Sequence, residues 1–419
     1  MTHPQLKRKT FARYRFGPTN RLEECPTGPV FSSPIGAFDL SQIGILHAGV
    51  DTVRALYSGR LNEMMLDQIE SAGFDSVIEV AGLKVMIGPG GQSGYRYRLQ
   101  NNEAGLILFV LSRYTKPASI GAHLKIEAGP AFLLSRAVDE TQHSLDCLAS
   151  AILNEGWAPS GCAVHVCADV QGWGFPDDFL ERLATRSRQQ ISHKGIAKIE
   201  MVGGLVAQVY GSNETLTFGQ PGGIQFTCYR KDIANERQGK TDFSSKVWER
   251  AHDDNGVVLF DPDAPVRRLE FRYHQTVIRQ IAYDVNSELL RYETVARRLN
   301  DLWQYGLSIF RLDQSRKYID PFWQLLYEDV EICVNPRREL VKRVYKGPGT
   351  SEYRNLCLCI GNALSIYARE SLSPTQAIDR LRRAGLWRKY AHYARQHGND
   401  PQADVTKGLL RRRLAGKAS

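Results

Sequence analysis

The chain contains no run approaching the roughly 18 apolar residues a membrane-spanning helix needs, and its basic, proline-containing first residues lack the apolar core of a signal peptide. These absences predict a cytoplasmic protein with no membrane contact. Its eight cysteines, at 25, 147, 162, 167, 228, 333, 357 and 359, include no Cys-x-x-Cys pair. Cys357-x-Cys359 is too tight and too isolated for a zinc site, so reduced and mostly buried thiols are expected. No Gly-Lys-Ser/Thr follows a glycine-rich spacer, which excludes a P-loop ATPase. The stretch Gly88-Pro89-Gly90-Gly91-Gln92-Ser93-Gly94 has its own proline and no helical pattern after it, and reads as a hairpin turn. No Gly-x-Ser-x-Gly elbow is present, so an α/β-type serine hydrolase is excluded.

What is present is size and positive charge. At 419 residues the chain exceeds the roughly 250–300 at which single cores tend to split, so two or three domains are expected. A formal net charge of +9 favours a polyanionic partner, although a basic soluble protein with no such partner has the same balance. Residues 1–45, rich in Pro, Gly and Arg and without periodicity, read as a basic irregular arm. Residues 46–160 read as an α+β unit, with strands at 50–57, 76–87, 95–99, 105–112 and 123–127 and helices at 61–72 and 140–154. Residues 161–285 repeat the recipe with a helix at 176–193, a strand near 199–206, a hairpin over 208–230 and a final strand through Glu270. The fold class expected is therefore α+β: duplicated, mostly antiparallel sheet units with helices on one face, followed by an all-helical C-terminal region.

In that region, 286–419, strand signals stop and helical spacing takes over. Ser373-Pro374-Thr375-Gln376 is a capping box with proline at the first helical position. The basic helical surface after it carries Arg380, Arg383, Arg388 and Lys389, the expected DNA-binding residues, on a face that solvation alone also explains.

Three distant stretches alternate alike: Val164-His165-Val166-Cys167-Ala168-Asp169, Ile224-Gln225-Phe226-Thr227-Cys228-Tyr229-Arg230-Lys231 and Arg268-Leu269-Glu270-Phe271-Arg272-Tyr273-His274. Successive strand side chains turn to opposite faces. His165 and Asp169 therefore share a face, as do Tyr229 and Lys231, and as do Arg268, Glu270, Arg272 and His274. If the strands pair, two carboxylates, a tyrosine and several cations converge, the inventory for metal-assisted phosphoryl transfer onto a tyrosine. Asp169 stands in an apolar run where an unpaired charge is costly; for Glu270, the flanking arginines offer a structural ion-pair network as an equal account. None of the ten histidines stands two residues from another, which excludes a His-hydrophobic-His metal pair.

The order of these residues resembles the replication initiation factor family of rolling-circle plasmid initiators, filamentous-phage replication proteins and conjugative-element relaxases. The resemblance is carried by Phe218-Gly219 before the Tyr229-x-Lys231 strand, by Arg268-x-Glu270 some tens of residues later, by Val50-Asp51-Thr52 near the start and by Asp320-Pro321-Phe322-Trp323 afterwards. It spans roughly residues 45–330. The chain departs from the pattern at Ala163 and His165, where the family's acidic strand commonly has Arg-x-Asp, and at Gly219-Gln220-Pro221, where an arginine is usual. The resemblance implies a site- and strand-specific nick through a 5′-phosphotyrosyl bond on Tyr229, with Mg2+ or Mn2+ held by Asp169, Glu270 and His165. Lys231 would stabilise developing charge, and Arg268 or Arg272 would orient the phosphate. The expected partners are single-stranded or hairpin origin DNA and a host helicase, since the chain has no motor of its own. The oligomeric state is not legible, a dimer being one option. The alternative is a non-catalytic origin- or promoter-binding protein in which Tyr229 is structural; a tyrosine recombinase lacks its usual cluster of arginines and histidines before a late tyrosine. Tyr210 and Tyr273 are the reserve nucleophiles, with Tyr273 on the core side of its strand.

Overall fold

The computed structural model describes residues 21–25, 28–33, 36–40, 42–91, 94–185, 201–202, 206–209, 215–220, 222–253, 255–281, 290–315, 318–333, 352–396 and 399–415. The chain divides into two compact units, Met1–Arg343 and Val344–Ser419. The first is built on a 12-stranded sheet in which every pairing is antiparallel.

Two long strands, Gly44–Gly59 and Ala158–Gln171, lie side by side at the middle of this sheet. Each begins one half. Beyond Gly44–Gly59 come Gly121–Ala128, Leu106–Ser112, Tyr95–Asn101, Leu83–Pro89 and the edge strand Val77–Val80. Beyond Ala158–Gln171 come Arg267–Tyr273, Ile224–Arg230, Thr215–Gly219, Val206–Val209 and Met201–Val202. In both halves the last strand of the half inserts beside its first, and the meander runs outward from there. The duplicated α+β architecture is thus realised as two like-ordered halves of one sheet, joined by the pairing of their first strands. The expected strand at 76–87 is a hairpin, because Ala81 and Gly82 both take positive φ. The segment around Gly88–Gly94 also joins paired strands, as a turn should.

The apolar residues of the central strands account for their place. Val53, Val164, Val166, Leu269, Phe271 and Phe226 are fully or almost fully buried on one face. Against it pack the helices Glu63–Ala72, Val138–Ile152, Leu299–Ile309 and Pro321–Glu328 through Ile69, Leu145, Trp303 and Trp323. Burying such side chains stabilises by about 1.5–3 kcal/mol each.

Several expected elements differ. The arm at 1–45 carries three strands, Arg21–Cys25, Gly28–Ser33 and Gly36–Asp39. The helix expected at 176–193 is the single turn Phe179–Arg182 followed by the strand Leu183–Thr185, with 186–193 outside the described residues. Residues 290–333 do not open a separate C-terminal region: Trp303 stacks edge-on against Phe271 at 5.2 Å and Trp323 against Phe226 at 5.7 Å. They also contain the strands Phe310–Ser315 and Tyr318–Ile319, the first of which pairs with Leu183–Thr185. The helical unit proper begins past 343 and has its own core of Leu356, Ile360, Leu381, Tyr390, Ala394 and Leu409.

Candidate active site

The other face of the sheet is polar at its centre. Alternation sends Tyr229 and Thr227, Arg268, Glu270 and Arg272, and His165 and Asp169 to that face, and register brings them together. Tyr229 stands opposite Arg268 and Thr227 opposite Glu270; Asp169 stands opposite Arg268 and His165 opposite Arg272. The fourth strand adds a residue that alternation conceals. Val53, Ala55 and Tyr57 face the core, so strict parity would send Asp51 there too. Thr52 pairs with His165 and Val50 with Val166, leaving Asp51 as the extra residue of a β-bulge. The bulge turns its carboxylate into the polar cluster. The sequence signal for it was the Val50-Asp51-Thr52 stretch, which places an acidic residue between two β-branched ones.

Two helices absent from the sequence-based expectation, Lys231–Gln238 and Thr241–Trp248, cover part of this face. The strand ends at Arg230, so Lys231 sits at the first position of a helix and not on the strand. Its Nζ still lies 5.9 Å from the Tyr229 ring centre and 3.8 Å from Asp51 Oδ1. Trp248 closes the second helix and donates its indole N–H to Asp169 Oδ2 at 2.8 Å. A cleft of about 890 Å³ opens over the cluster and runs on towards Arg54, Asn101 and Ala131.

Within the cluster the charges fall into two linked sets. Arg268 donates Nε to Asp169 Oδ1 at 2.5 Å and Nη2 to Oδ2 at 2.7 Å, a bidentate pair, and its Nη1 bonds Asp51. Asp169 is thereby saturated by Arg268 and Trp248. In the second set the Tyr229 hydroxyl donates to Glu270 Oε2 at 3.2 Å, while Glu270 Oε1 meets Arg272 Nε at 2.7 Å and His165 Nδ1 at 3.1 Å.

These contacts set the ionisation. Burial disfavours the Glu270 carboxylate, but Arg272 and His165 outweigh it and hold its carboxyl well below the usual range. Burial is likewise overcome at Asp169 by Arg268, and its carboxyl is lowered. Burial, then the Glu270 charge, push the Tyr229 phenol well above its ordinary value. Burial and the neighbouring Arg268 lower the Lys231 ammonium.

Ligand atoms of Asp51, His165 and Glu270 lie within 4.8 Å of one another. Two carboxylates and an imidazole are a donor set that suits Mg2+ or Mn2+, and one such ion fits between atoms so spaced. Asp169, expected as a ligand, is not in this set; its two oxygens form a bidentate pair with Arg268. Asp51 stands in its place. Of the expected catalytic residues, Tyr229, Lys231, Arg268 and Arg272 are all in the cluster, with Arg268 committed to two carboxylates. Tyr273 points into the core and donates to the Leu302 carbonyl at 2.6 Å. Tyr210 lies outside the described residues.

The expected DNA-binding residues belong to the second unit. Its capping box is present, with Ser373 accepting from the Gln376 N–H at 3.3 Å and Gln376 accepting from the Ser373 N–H at 2.9 Å. Arg380 is ion-paired with Glu370 and lies over the Tyr367 ring. Arg383, Arg388 and Lys389 are exposed.

No family model matches the chain. It is 36% identical over 385 residues to the uncharacterized protein ORF430 of Pseudomonas phage Pf1, an alignment that covers 87% of this chain and 88% of the phage protein. The chain belongs to the family of that phage protein. Among the described residues, no helix is long and apolar enough to cross a membrane.

Proposed function

We propose that this protein is a rolling-circle replication initiator or relaxase that makes a site- and strand-specific DNA nick through a tyrosyl phosphodiester. The observation that carries the reading is the Tyr229 hydroxyl bonded to Glu270 at 3.2 Å on the floor of an open cleft, with Lys231 and Arg272 beside it. A buried carboxylate next to a phenol, ringed by cations, is a costly arrangement for structure alone and a productive one for phosphoryl transfer. The order of the motifs resembles that of replication initiation factors, and a relative encoded by a phage is compatible with an element-borne replication protein.

In this reading the Tyr229 oxygen attacks the scissile phosphorus in line. One P–O bond forms to the phenol oxygen and the P–O3′ bond breaks, leaving a 5′-phosphotyrosyl adduct and a free 3′-hydroxyl. The proton leaves the phenol by way of Glu270 Oε2 and reaches the departing 3′ oxygen. Because Glu270 is a weak base, proton transfer accompanies bond formation and does not precede it. Lys231 and Arg272 hold the non-bridging oxygens, while Arg268 keeps Asp51 and Asp169 in place. A divalent cation held by Asp51, His165 and Glu270 supplies, when bound, neutralisation of charge at the scissile phosphate. The substrate is single-stranded or hairpin DNA, exposed by extrusion or by a separate helicase.

The test is incubation with a single-stranded oligonucleotide pool and manganese, followed by tryptic mass mapping. A 5′-phosphotyrosyl peptide containing Tyr229, abolished in Tyr229→Phe, is the expected result. Absence of an adduct on any tyrosine would leave a non-catalytic DNA-binding protein as the reading.

A further inference from the structure

The basic stretch of the second unit is not one helix. Pro374–Arg383 ends at Ala384, Gly385 takes φ +73°, and a new helix, Trp387–Gln396, begins two residues on. Only a residue without a Cβ adopts that φ readily, so the glycine permits a tight turn between the helices. The first helix buries Ala377, Ile378 and Leu381, and the second buries Tyr390, Ala391 and Ala394. Both pack into one core with Leu356, Ile360, Leu364, Val405 and Leu409 of the helices before and after them. Two helices joined by a three-residue turn containing glycine, backed by further helices, is the construction of a helix-turn-helix.

The surface left outward is specific. On the second helix Arg388, Lys389, His392 and Arg395 are exposed, spaced so that they lie on one side, and the helix contains no acidic residue. On the first helix Arg380 pairs with Glu370 and Arg382 with Asp379, while Arg383 is exposed. We propose that Trp387–Gln396 is a recognition helix that enters the major groove of duplex DNA and reads base edges through Arg388, His392 and Arg395. The charge is of the sign a phosphate-lined groove requires, and arginine is the side chain suited to the guanine edge. The unit therefore selects a double-stranded sequence, a task separate from strand cleavage and independent of whether Tyr229 forms an adduct.

The test uses the full chain and a pool of duplexes with a randomised centre, selected by capture of bound DNA and sequenced. The wild type is expected to enrich a defined sequence. The variant Arg388→Ala/His392→Ala/Arg395→Ala should lose that enrichment and bind the selected duplex about ten- to a hundredfold more weakly. Arg411→Ala, a charge change at another exposed position of the unit, should keep the same enriched sequence. Circular dichroism establishes that the triple variant is folded; if it is not, Arg388→Ala alone takes its place and should change the enriched sequence. No enriched duplex sequence with the wild type, binding confined to unpaired strands, or an enriched sequence unchanged in the folded variant would overturn the proposal.

Discussion

The two halves of the sheet share a strand order and differ in what covers them. On the polar face of the N-terminal half, Glu127 pairs with Lys125 at 2.8 Å and with Arg54 at 3.1 Å, and Lys125 lies 4.0 Å from the Phe109 ring centre. These are ordinary surface ion pairs, part solvated and weak. On the same face of the C-terminal half, Glu270, Asp169 and Arg268 are almost wholly buried. The cause lies in the connections. Leu106–Ser112 is joined to Gly121–Ala128 by residues 113–120, whereas Ile224–Arg230 is joined to Arg267–Tyr273 by residues 231–266, which form the two covering helices. Removing water from one copy of a common framework strengthens every charge interaction there and moves its tyrosine and lysine away from their ordinary ionisation.

The largest expected contrast between the halves is catalytic. Glu270→Gln should lower adduct formation by about 10²–10⁴-fold, the usual worth of a positioned proton acceptor, while Glu127→Gln should leave it within about twofold. Quantified adduct yield on a labelled oligonucleotide checks both. A comparable loss in the two variants would show that the covering helices do not distinguish the halves.

Next in size is stability. Asp169→Asn leaves Arg268 buried and undercompensated and should cost about 3–5 kcal/mol, against about 0–1 kcal/mol for Glu127→Ala, read from urea unfolding. Trp248→Phe, which removes the indole donor to Asp169 and keeps an aromatic ring, should cost about 1–3 kcal/mol on the same measurement.

The smallest effect is on pH dependence. The Asp169 carboxyl is lowered in the folded chain, so its contribution to stability is complete above the ordinary aspartate value of 3.8 and is lost as pH falls through the lower folded value. Wild-type melting temperature should therefore decline on acidification below about pH 4, and Asp169→Asn should show a shallower decline. An identical slope would mean that Arg268 contributes nothing to the ionisation of Asp169.

Alternation along single strands was legible without coordinates, because a period of two is a property of the backbone. It assigned Tyr229, Glu270, Arg268, Arg272, His165 and Asp169 to a common kind of face, and the capping box at Ser373 was equally local. What alternation leaves open is which strands become neighbours and where a register slips by one. Asp51 reached the cluster through such a slip, and its presence there changed which acidic and histidine side chains lie within 4.8 Å of one another. Packing also decided that 290–333 belongs with the sheet: Trp303 and Trp323 have helical spacing in the sequence, and their rings pack against Phe271 and Phe226, residues far away along the chain. Local chemistry set the faces; long-range burial set the partners, since the free energy of covering an apolar or charged group depends on everything that surrounds it and not on its neighbours in sequence.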